Sequence, residues 1–186
     1  MKITQEQLKG WSACTDGYKW ACSILKDNPM EVKKFLKITA DYRLDWANWV
    51  ICRVFDKPNK VRYAIFSAEQ VIHLFEKKYP DDKRMRKAIE AAKAWLENPY
   101  AASAASAVSA ASAAYAAYAA YADSADSMAS AASAASAASA AYAAYADSAD
   151  SMASAASAAS AAYAAYADSK KQMQIKILEY GLSLLD

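Results

Sequence analysis

The side chains best suited to binding a partner lie together in the string DYRLDWANWVICR, residues 41–53. Trp46 and Trp49 are three residues apart, and Arg43 and Arg53 flank them within about three turns of a helix. Tryptophan and arginine are the residue types that most often carry the binding energy of protein interfaces. The string therefore predicts a protein-binding surface.

The same string also fits a structural role. The two tryptophans, at positions i and i+3, are spaced to form a ridge of the hydrophobic core. In that interpretation Asp45 and Arg53 form structural salt bridges, with Arg62 or Glu69 as partners. Both interpretations stay open at the level of the sequence.

A second set of candidate binding residues consists of the only charges between Ala101 and Ser169. These are Asp123, Asp126, Asp147, Asp150 and Asp168. Carboxylates repeated at intervals of 21 to 24 residues can mimic phosphates or cover a basic channel on a target. The competing interpretation is that these aspartates cap helices and keep the surface polar.

Catalytic chemistry has few candidates in this chain. His73 is the only histidine and lies one residue beyond the apolar face of its predicted helix, which favours a partly buried structural role. With three glycines in all, the chain has no glycine-rich phosphate loop, and ADSAD lacks the glycine turn and final glutamate of a calcium loop. The sequence therefore predicts a protein that is not an enzyme and that has no cofactor or metal site.

The Ala-rich tract from 101 to 169 determines how the five aspartates are positioned. Every third residue is Ser or Tyr and nearly all others are Ala, with no Gly or Pro, so the tract should be helical. Three residues turn an α-helix through about 300°, so a triplet pattern drifts around one long helix and leaves no consistent face. The Tyr and Asp-Ser clusters recur at spacings of 24 and 21 residues, which indicates internal repeats. We expect short antiparallel Ala-rich helices that pack closely and break at the Asp-Ser corners.

The rest of the chain predicts amphipathic helices and no strand. Thr4 and Gln7 form a capping box, and Asn28 with Pro29 predicts a second helix start. Further helices are expected at 44–55, ended by the turn DKPN; from Val61 to Tyr79 and Pro80, as one element; from Asp81 and Asp82 to Asn98 and Pro99; and at KKQMQIKILEY, ended by Gly181. The helix that Asp81 and Asp82 open is predicted to bury an apolar stripe of Met85, Ala88, Ile89, Ala92, Trp95 and Leu96.

The predicted architecture is all-α, a helical bundle or solenoid-like stack. Its parts are an amphipathic N-terminal part at 1–99, the triplet-repeat helices at 100–169 and a C-terminal helix at 170–186, which together form one folded unit.

Composition restricts the partners and the compartment. The tract carries a formal charge of −5 and the remainder +7, but no run of Lys or Arg is present, which argues against direct nucleic-acid binding. No targeting segment or membrane span is visible. Cys14, Cys22 and Cys52 have no CxxC spacing, so we expect three buried thiols in a cytoplasmic protein.

Three longer strings resemble bacterial and phage or prophage immunity proteins: RLDWANWVICRV, VRYAIFSAEQVIHLFEKKYPDDKRMRKAIEAAKAWLENP and KKQMQIKILEYGLSLL. The resemblance covers residues 1–99 and 170–186, and that family also has an Ala-rich, Tyr-punctuated tract between these parts. It is most specific at YPDD and DWANW. It implies an all-helical fold and an association with toxin and defence systems, and it supplies no catalytic residues.

Two functions of different classes follow. The first is a non-enzymatic inhibitor, an immunity or anti-CRISPR-like protein that blocks a toxin, nuclease or defence effector by protein contact, with or without acidic mimicry of nucleic acid. The alternative is a sponge for a small nucleotide signal, in which Tyr rings stack on bases and Arg side chains hold phosphate. Ice binding is disfavoured because triplet spacing spreads the hydroxyls around a helix. The expected partner is a protein target, and the chain is expected to act as a monomer or as a homodimer.

Overall fold

The computed structural model describes residues 1–70, 72–99 and 167–186. The chain order in these ranges is β1 (Lys2–Ile3), α1 (Gln5–Gly10), α2 (Thr15–Leu25), β2 (Met30–Glu31), α3 (Val32–Tyr42), α4 (Leu44–Val54), α5 (Lys57–Glu69), α6 (Ile72–Lys78), α7 (Arg84–Glu97) and α8 (Ala167–Ser183). The all-α class is confirmed. The predicted antiparallel Ala-rich helices lie outside the described residues.

The N-terminal capping box is confirmed. The Thr4 hydroxyl accepts the Gln7 backbone N–H at 3.1 Å, and the Gln7 side chain accepts the Thr4 N–H at 3.0 Å. Together these bonds pair two donors that the first turn of a helix leaves without partners. The helix α1 is consequently fixed at its start, close to the buried Leu8.

The predicted helix start at Asn28 and Pro29 is wrong, because the chain first forms a short strand. Lys2 pairs with Glu31 and Ile3 with Met30 in an antiparallel two-stranded sheet. This pairing buries Ile3 completely and postpones α3 until Val32. The expectation of no strand is therefore also wrong, although the sheet is only two residues long in each strand.

Two more helix boundaries differ from the prediction. The string DKPN does not form a separate turn, since the Asp56 carboxylate accepts the Asn59 N–H at 2.9 Å and caps α5, with Pro58 in its first turn. The single helix expected from Val61 to Tyr79 and Pro80 is two helices, α5 and α6. At the end of α5 the side chain of Gln70 donates to the Phe66 carbonyl, which also accepts the Gln70 backbone N–H.

The helix α7 buries the stripe that its spacing predicts. Met85, Ala88, Ile89, Ala92 and Trp95 are all buried. The stripe packs on α5, whose small buried residues include Ala64 and Ala68. Small side chains on both helices allow a close approach of the two backbones.

The helix α8 returns to the first part of the chain and packs on α4 and α5. It continues past Gly181 to Ser183, so the predicted stop at Gly181 is wrong. A Cβ atom built on Gly181 would lie 2.6 Å from Cε2 of Tyr63 and 2.7 Å from Cδ1 of Ile51. Glycine is therefore required here by close helix packing and not by the end of a helix.

Two side-chain expectations also need correction. His73 is exposed and not partly buried. Of the three thiols, Cys52 is buried, Cys22 is half-buried and Cys14 is exposed.

Candidate protein-binding site

The candidate site lies at the corner between α3 and α4, which one residue forms. Arg43 has extended backbone angles, φ −152° and ψ 110°, and is the last cap of α3 and the first cap of α4. Its N–H donates to the Thr39 carbonyl, and its carbonyl accepts the Ala47 N–H. The tight corner brings the end of α3 beside the first turn of α4.

Three aromatic rings from three helices meet at this corner. Tyr42 of α3 stacks on Trp20 of α2 with ring centres 5.0 Å apart and planes within 9°. Trp46 of α4 lies 5.8 Å from Trp20 and 5.7 Å from Tyr42, tilted by 58° and 48°. These separations suit offset or edge-to-face contacts, each of about 0.5–1.5 kcal/mol. Tyr42 is nonetheless 59% exposed, so a large apolar ring is held rigidly at the surface.

Both predicted arginines stack on tryptophans. The guanidinium carbon of Arg43 lies 4.8 Å from the ring centre of Trp46, and that of Arg53 lies 3.7 Å from the ring centre of Trp49. Arg53 also donates to the Trp49 carbonyl at 3.2 Å. Stacking of this kind stabilises a partly exposed pair by about 0.5–1 kcal/mol. We call the side chains of Tyr42, Arg43, Trp46, Trp49 and Arg53 the Trp46 surface.

The Arg43 guanidinium is held by a carboxylate two residues along the chain. Its Nε and one terminal nitrogen donate to the two carboxylate oxygens of Asp45 at 3.0 and 2.5 Å. Burial alone would raise the pKa of Asp45, but the hydrogen bonds and charge of Arg43 outweigh it and hold that pKa below its ordinary value. The pair therefore stays ionised at neutral pH and fixes Arg43 in place.

A cavity of about 270 Å³ opens behind the Trp46 surface. Its walls come from the helices α1 to α4 and include Leu8, Trp20, Phe35, Trp46 and Trp49. Gly17 of α2 contributes to it as well, and a Cβ atom there would lie 3.6 Å from the Trp46 ring. We call this cavity the Trp46 pocket.

The structure brings the predicted residues of α4 together and gives Asp45 and Glu69 other ion-pair partners than those predicted. Trp46 and Trp49 are half-buried, which is intermediate between the predicted binding surface and the predicted ridge of the core. Asp45 pairs with Arg43, and Glu69 pairs with Lys93 of α7. Four of the predicted aspartates, Asp123, Asp126, Asp147 and Asp150, lie outside the described residues; Asp168 falls in the backbone of α8, and its side chain lies outside them too.

Sequence reasoning missed the contribution of α2 and α3 to the site. Trp20 and Tyr42 were not identified as site residues, and no helix was predicted at 15–25. A signal was available, because Tyr18, Ala21, Cys22 and Leu25 repeat at helical spacing. In the structure the Cys14 sulfur accepts the Gly17 N–H at 3.4 Å, and Ala21 and Leu25 are buried.

The described residues contain neither a candidate metal site nor a candidate membrane span. Among the residues that the structure describes, no three His, Cys, Asp or Glu side chains come close enough together to hold a metal ion. Within the same ranges, no helix has the length and hydropathy needed to cross a membrane.

The fold and this surface define an all-α protein with a rigid, partly exposed aromatic and arginine patch. Residues 52–180, more than half of the chain, match the family model described as "Imm-5 like putative immunity protein". The chain belongs to this family of immunity proteins. The match includes the Ala-rich tract and begins at Cys52.

The first part of the chain is similar to a different family. Residues 1–58 match the model of the YdhT N-terminal domain, so the two matches overlap only at 52–58, around the junction of α4 and α5. Most of the Trp46 surface, including the string DWANW, thus lies before the immunity-protein match. No curated protein and no solved structure matches the chain.

Proposed function

We propose that this chain is a non-enzymatic, immunity-type inhibitor that binds a toxin, nuclease or defence effector and blocks it by protein contact in the cytoplasm. The observation that carries the proposal is the Trp46 surface, present in a chain of an immunity-protein family. An inhibitor of this class needs a surface that binds tightly and no catalytic group.

The Trp46 surface has the chemistry of an interface hot spot. Hot spots are enriched in Trp, Tyr and Arg and are surrounded by groups that exclude water. Tyr42 and Arg43 are exposed, while Trp46 and Trp49 are half-buried. A partner that covers this surface would remove large apolar rings from water, at about 25 cal/mol for each Å².

The surface is also pre-organised for binding. The ring of Tyr42 is held between Trp20 and Trp46, and Arg43 is held by Asp45 and Trp46. Ordering a flexible side chain on binding costs about 0.5–1.5 kcal/mol. Because these side chains are already fixed, most of that cost is avoided.

The five aspartates of the tract offer a competing contact. Their carboxylates would mimic phosphates or cover a basic channel on the target. If they carry the inhibition, replacing Asp123, Asp126, Asp147 and Asp150 with Asn abolishes it. If the Trp46 surface carries it, the same variant inhibits as the wild type does.

Growth rescue tests the proposal once a target has been captured. Purified chain is used to pull down proteins from cells that carry candidate toxin or defence systems, and mass spectrometry identifies what co-elutes. Each captured toxin is then expressed alone and with the chain, and we expect growth to be restored by the wild type. The variant Y42A/R43A should restore growth poorly, because both side chains belong to the Trp46 surface.

The matched control removes an exposed cation and an exposed apolar side chain elsewhere. Arg62 lies on α5 and Ile175 on α8, and both are exposed. R62A/I175A should therefore rescue growth as the wild type does. If no captured toxin is neutralised by the wild-type chain, the proposed function is wrong.

A nucleotide sponge is the second candidate, and the aromatic walls of the Trp46 pocket favour it because rings of this type stack on bases. A nucleotide that binds the folded state would raise the melting temperature as its concentration exceeds the dissociation constant. A flat thermal-shift response to cyclic and ADP-ribose-type nucleotides would argue against the sponge.

A further inference from the structure

We propose that the Trp46 pocket receives one large apolar side chain, aromatic or aliphatic, from the protein that the chain inhibits. The inference rests on the proposed function and deepens it, since it states the chemistry that the partner must present at the centre of the interface.

The size and lining of the pocket suit such a side chain. An apolar cavity of about 150 Å³ is large enough to bind benzene, and the Trp46 pocket has about 270 Å³. Its walls are mostly apolar, with the aromatic side chains of Trp20, Phe35, Trp46 and Trp49 on several sides. One aromatic or aliphatic side chain with its first backbone atoms would fill much of this space.

Three polar side chains of the lining already have partners inside the protein. The Thr39 hydroxyl donates to the Phe35 carbonyl at 2.7 Å, and the Cys14 sulfur accepts the Gly17 N–H. The Asp45 carboxylate accepts two hydrogen bonds from Arg43. Small polar ligands depend on a few converging donors and acceptors to orient them. This lining therefore favours an apolar side chain over a nucleotide.

The rim of the pocket fits a protein partner. Asp45 lines the opening, and its ion-pair partner Arg43 lies over Trp46. Tyr42 stacks on Trp20 and contacts Trp46 at a tilt, both of which line the pocket, and is itself exposed. An apolar centre within a charged and hydrogen-bonding rim is the usual anatomy of a protein interface.

The pocket also has a definite place relative to the family matches. All of its lining residues lie between Leu8 and Val50, inside the segment similar to the YdhT N-terminal domain and before the immunity-protein match at 52–180. The partner's anchoring side chain would thus bind to the first part of the chain, before the immunity-protein match.

Amide derivatives of single amino acids test the pocket directly. ¹H–¹⁵N spectra of the full chain are recorded with N-acetyl-phenylalanine amide, with N-acetyl-lysine amide and with adenosine monophosphate. We expect the phenylalanine derivative to shift the indole N–H signals of Trp20, Trp46 and Trp49 saturably. The dissociation constant should be about 1 mM, the order of affinity expected for a ligand of about fifteen heavy atoms.

Two alanine-to-leucine substitutions, one inside the pocket and one outside it, test whether binding occurs at this site. Ala13 lines the pocket and is half-buried, so A13L fills part of the cavity without removing an aromatic ring or a charge. Ala94 of α7 is exposed and does not line the pocket, so A94L adds the same side chain elsewhere. We expect A94L to bind the phenylalanine derivative as the wild type does and A13L to bind it at least tenfold more weakly.

The inference is overturned if the phenylalanine derivative gives no saturable shift, or if its shifts map away from the three indoles. This test uses the wild-type chain alone, so it holds even if A13L does not fold. Saturable binding of adenosine monophosphate at the same indoles, without binding of the phenylalanine derivative, would assign the pocket to a nucleotide.

Growth rescue separates failure of the inference from failure of the proposed function. If A13L is folded and still neutralises a toxin that the wild type neutralises, the pocket is not the anchor although the function is correct. If the wild type neutralises no captured toxin, the proposed function fails first.

Discussion

Of the three glycines, Gly181 has the least room for a side chain. It is buried in α8 against the fully buried ring of Tyr63, and the Tyr63 hydroxyl donates to Asn48 of α4 at 2.7 Å. Tyr63 of α5 thus links α8 and α4, because its ring packs against Gly181 and its hydroxyl donates to Asn48. Any side chain at position 181 must displace groups that are themselves fixed.

We expect G181A to destabilise the protein. Alanine improves helix propensity by about 1 kcal/mol, but overpacking in a filled core costs about 1–3 kcal/mol. The contact of 2.6 Å involves a buried ring and a second atom of Ile51 at 2.7 Å, so the cost should exceed the gain. Chemical denaturation of the variant measures the difference in the free energy of unfolding.

The control for G181A is S183A. Ser183 is exposed in the same helix and donates only to the Tyr180 carbonyl in its own last turns. This substitution should change stability by less than about 0.5 kcal/mol. A G181A protein as stable as the wild type would contradict the packing role.

At the same scale, sequence could identify only part of the candidate site. Arg43, Trp46, Trp49 and Arg53 were found because they lie within 13 residues of one string. Trp20 comes from another helix, and its stacking on Tyr42 depends on how α2 and α3 pack. Pairing across helices is a tertiary contact that the spacing of one string does not specify.

At the scale of the helix, the position of each end depends on capping and pairing contacts that the spacing of apolar residues does not specify. Five of the six residues predicted for the apolar stripe of α7 are buried, because burial on one face imposes its period, and the sixth, Leu96, is half-buried. The starts of α3 and α5 were misplaced, because Asn28, Asp56 and Pro58 fit either a turn or a cap. Because Met30 pairs with Ile3, α3 begins later in the chain than predicted. Because Asp56 caps α5, that helix begins earlier than predicted.

The cap of α5 makes a prediction at this scale. Asp56 is exposed and its carboxylate accepts the Asn59 N–H, so D56A should reduce the free energy of unfolding by about 1 kcal/mol. D56N keeps an oxygen acceptor and should lose much less, because Asn and Asp cap comparably. Thermal and urea denaturation of both variants measure the difference. Equal loss in the two variants would assign the effect to charge and not to capping.

At the scale of the whole molecule, the last described helix, α8, packs against helices from the first part of the chain. The helix α8 packs on α4 and α5 and buries Ile177 and Leu178. Because α4 also carries Trp46 and Trp49, α8 supports from behind the helix that forms most of the candidate surface. The predicted single folded unit would follow from this packing.

Two isoleucines in α8 test that prediction. Ile177 is 1% exposed and Ile175 is 36% exposed. I177A should lower the free energy of unfolding by about 2–5 kcal/mol, as expected for a buried isoleucine, and I175A should lower it far less. Tryptophan fluorescence, which reports on Trp11 and Trp95 as well as on the tryptophans of α2 and α4, should follow the same unfolding transition as circular dichroism.

An I177A protein in which the tryptophan signal unfolds at the wild-type midpoint would contradict a single unit. It would show that α8 unfolds without affecting the first part of the chain.

The central claim is that the Trp46 surface binds and blocks a protein target. Isothermal titration of the captured target against three purified proteins tests it most directly: the wild type, Y42A/R43A, and the variant with Asn at 123, 126, 147 and 150. We predict at least a 30-fold loss of affinity for Y42A/R43A, equivalent to about 2 kcal/mol, and wild-type affinity for the Asn variant. Unchanged affinity in Y42A/R43A, with loss in the Asn variant, would contradict the claim and assign the contact to the aspartates.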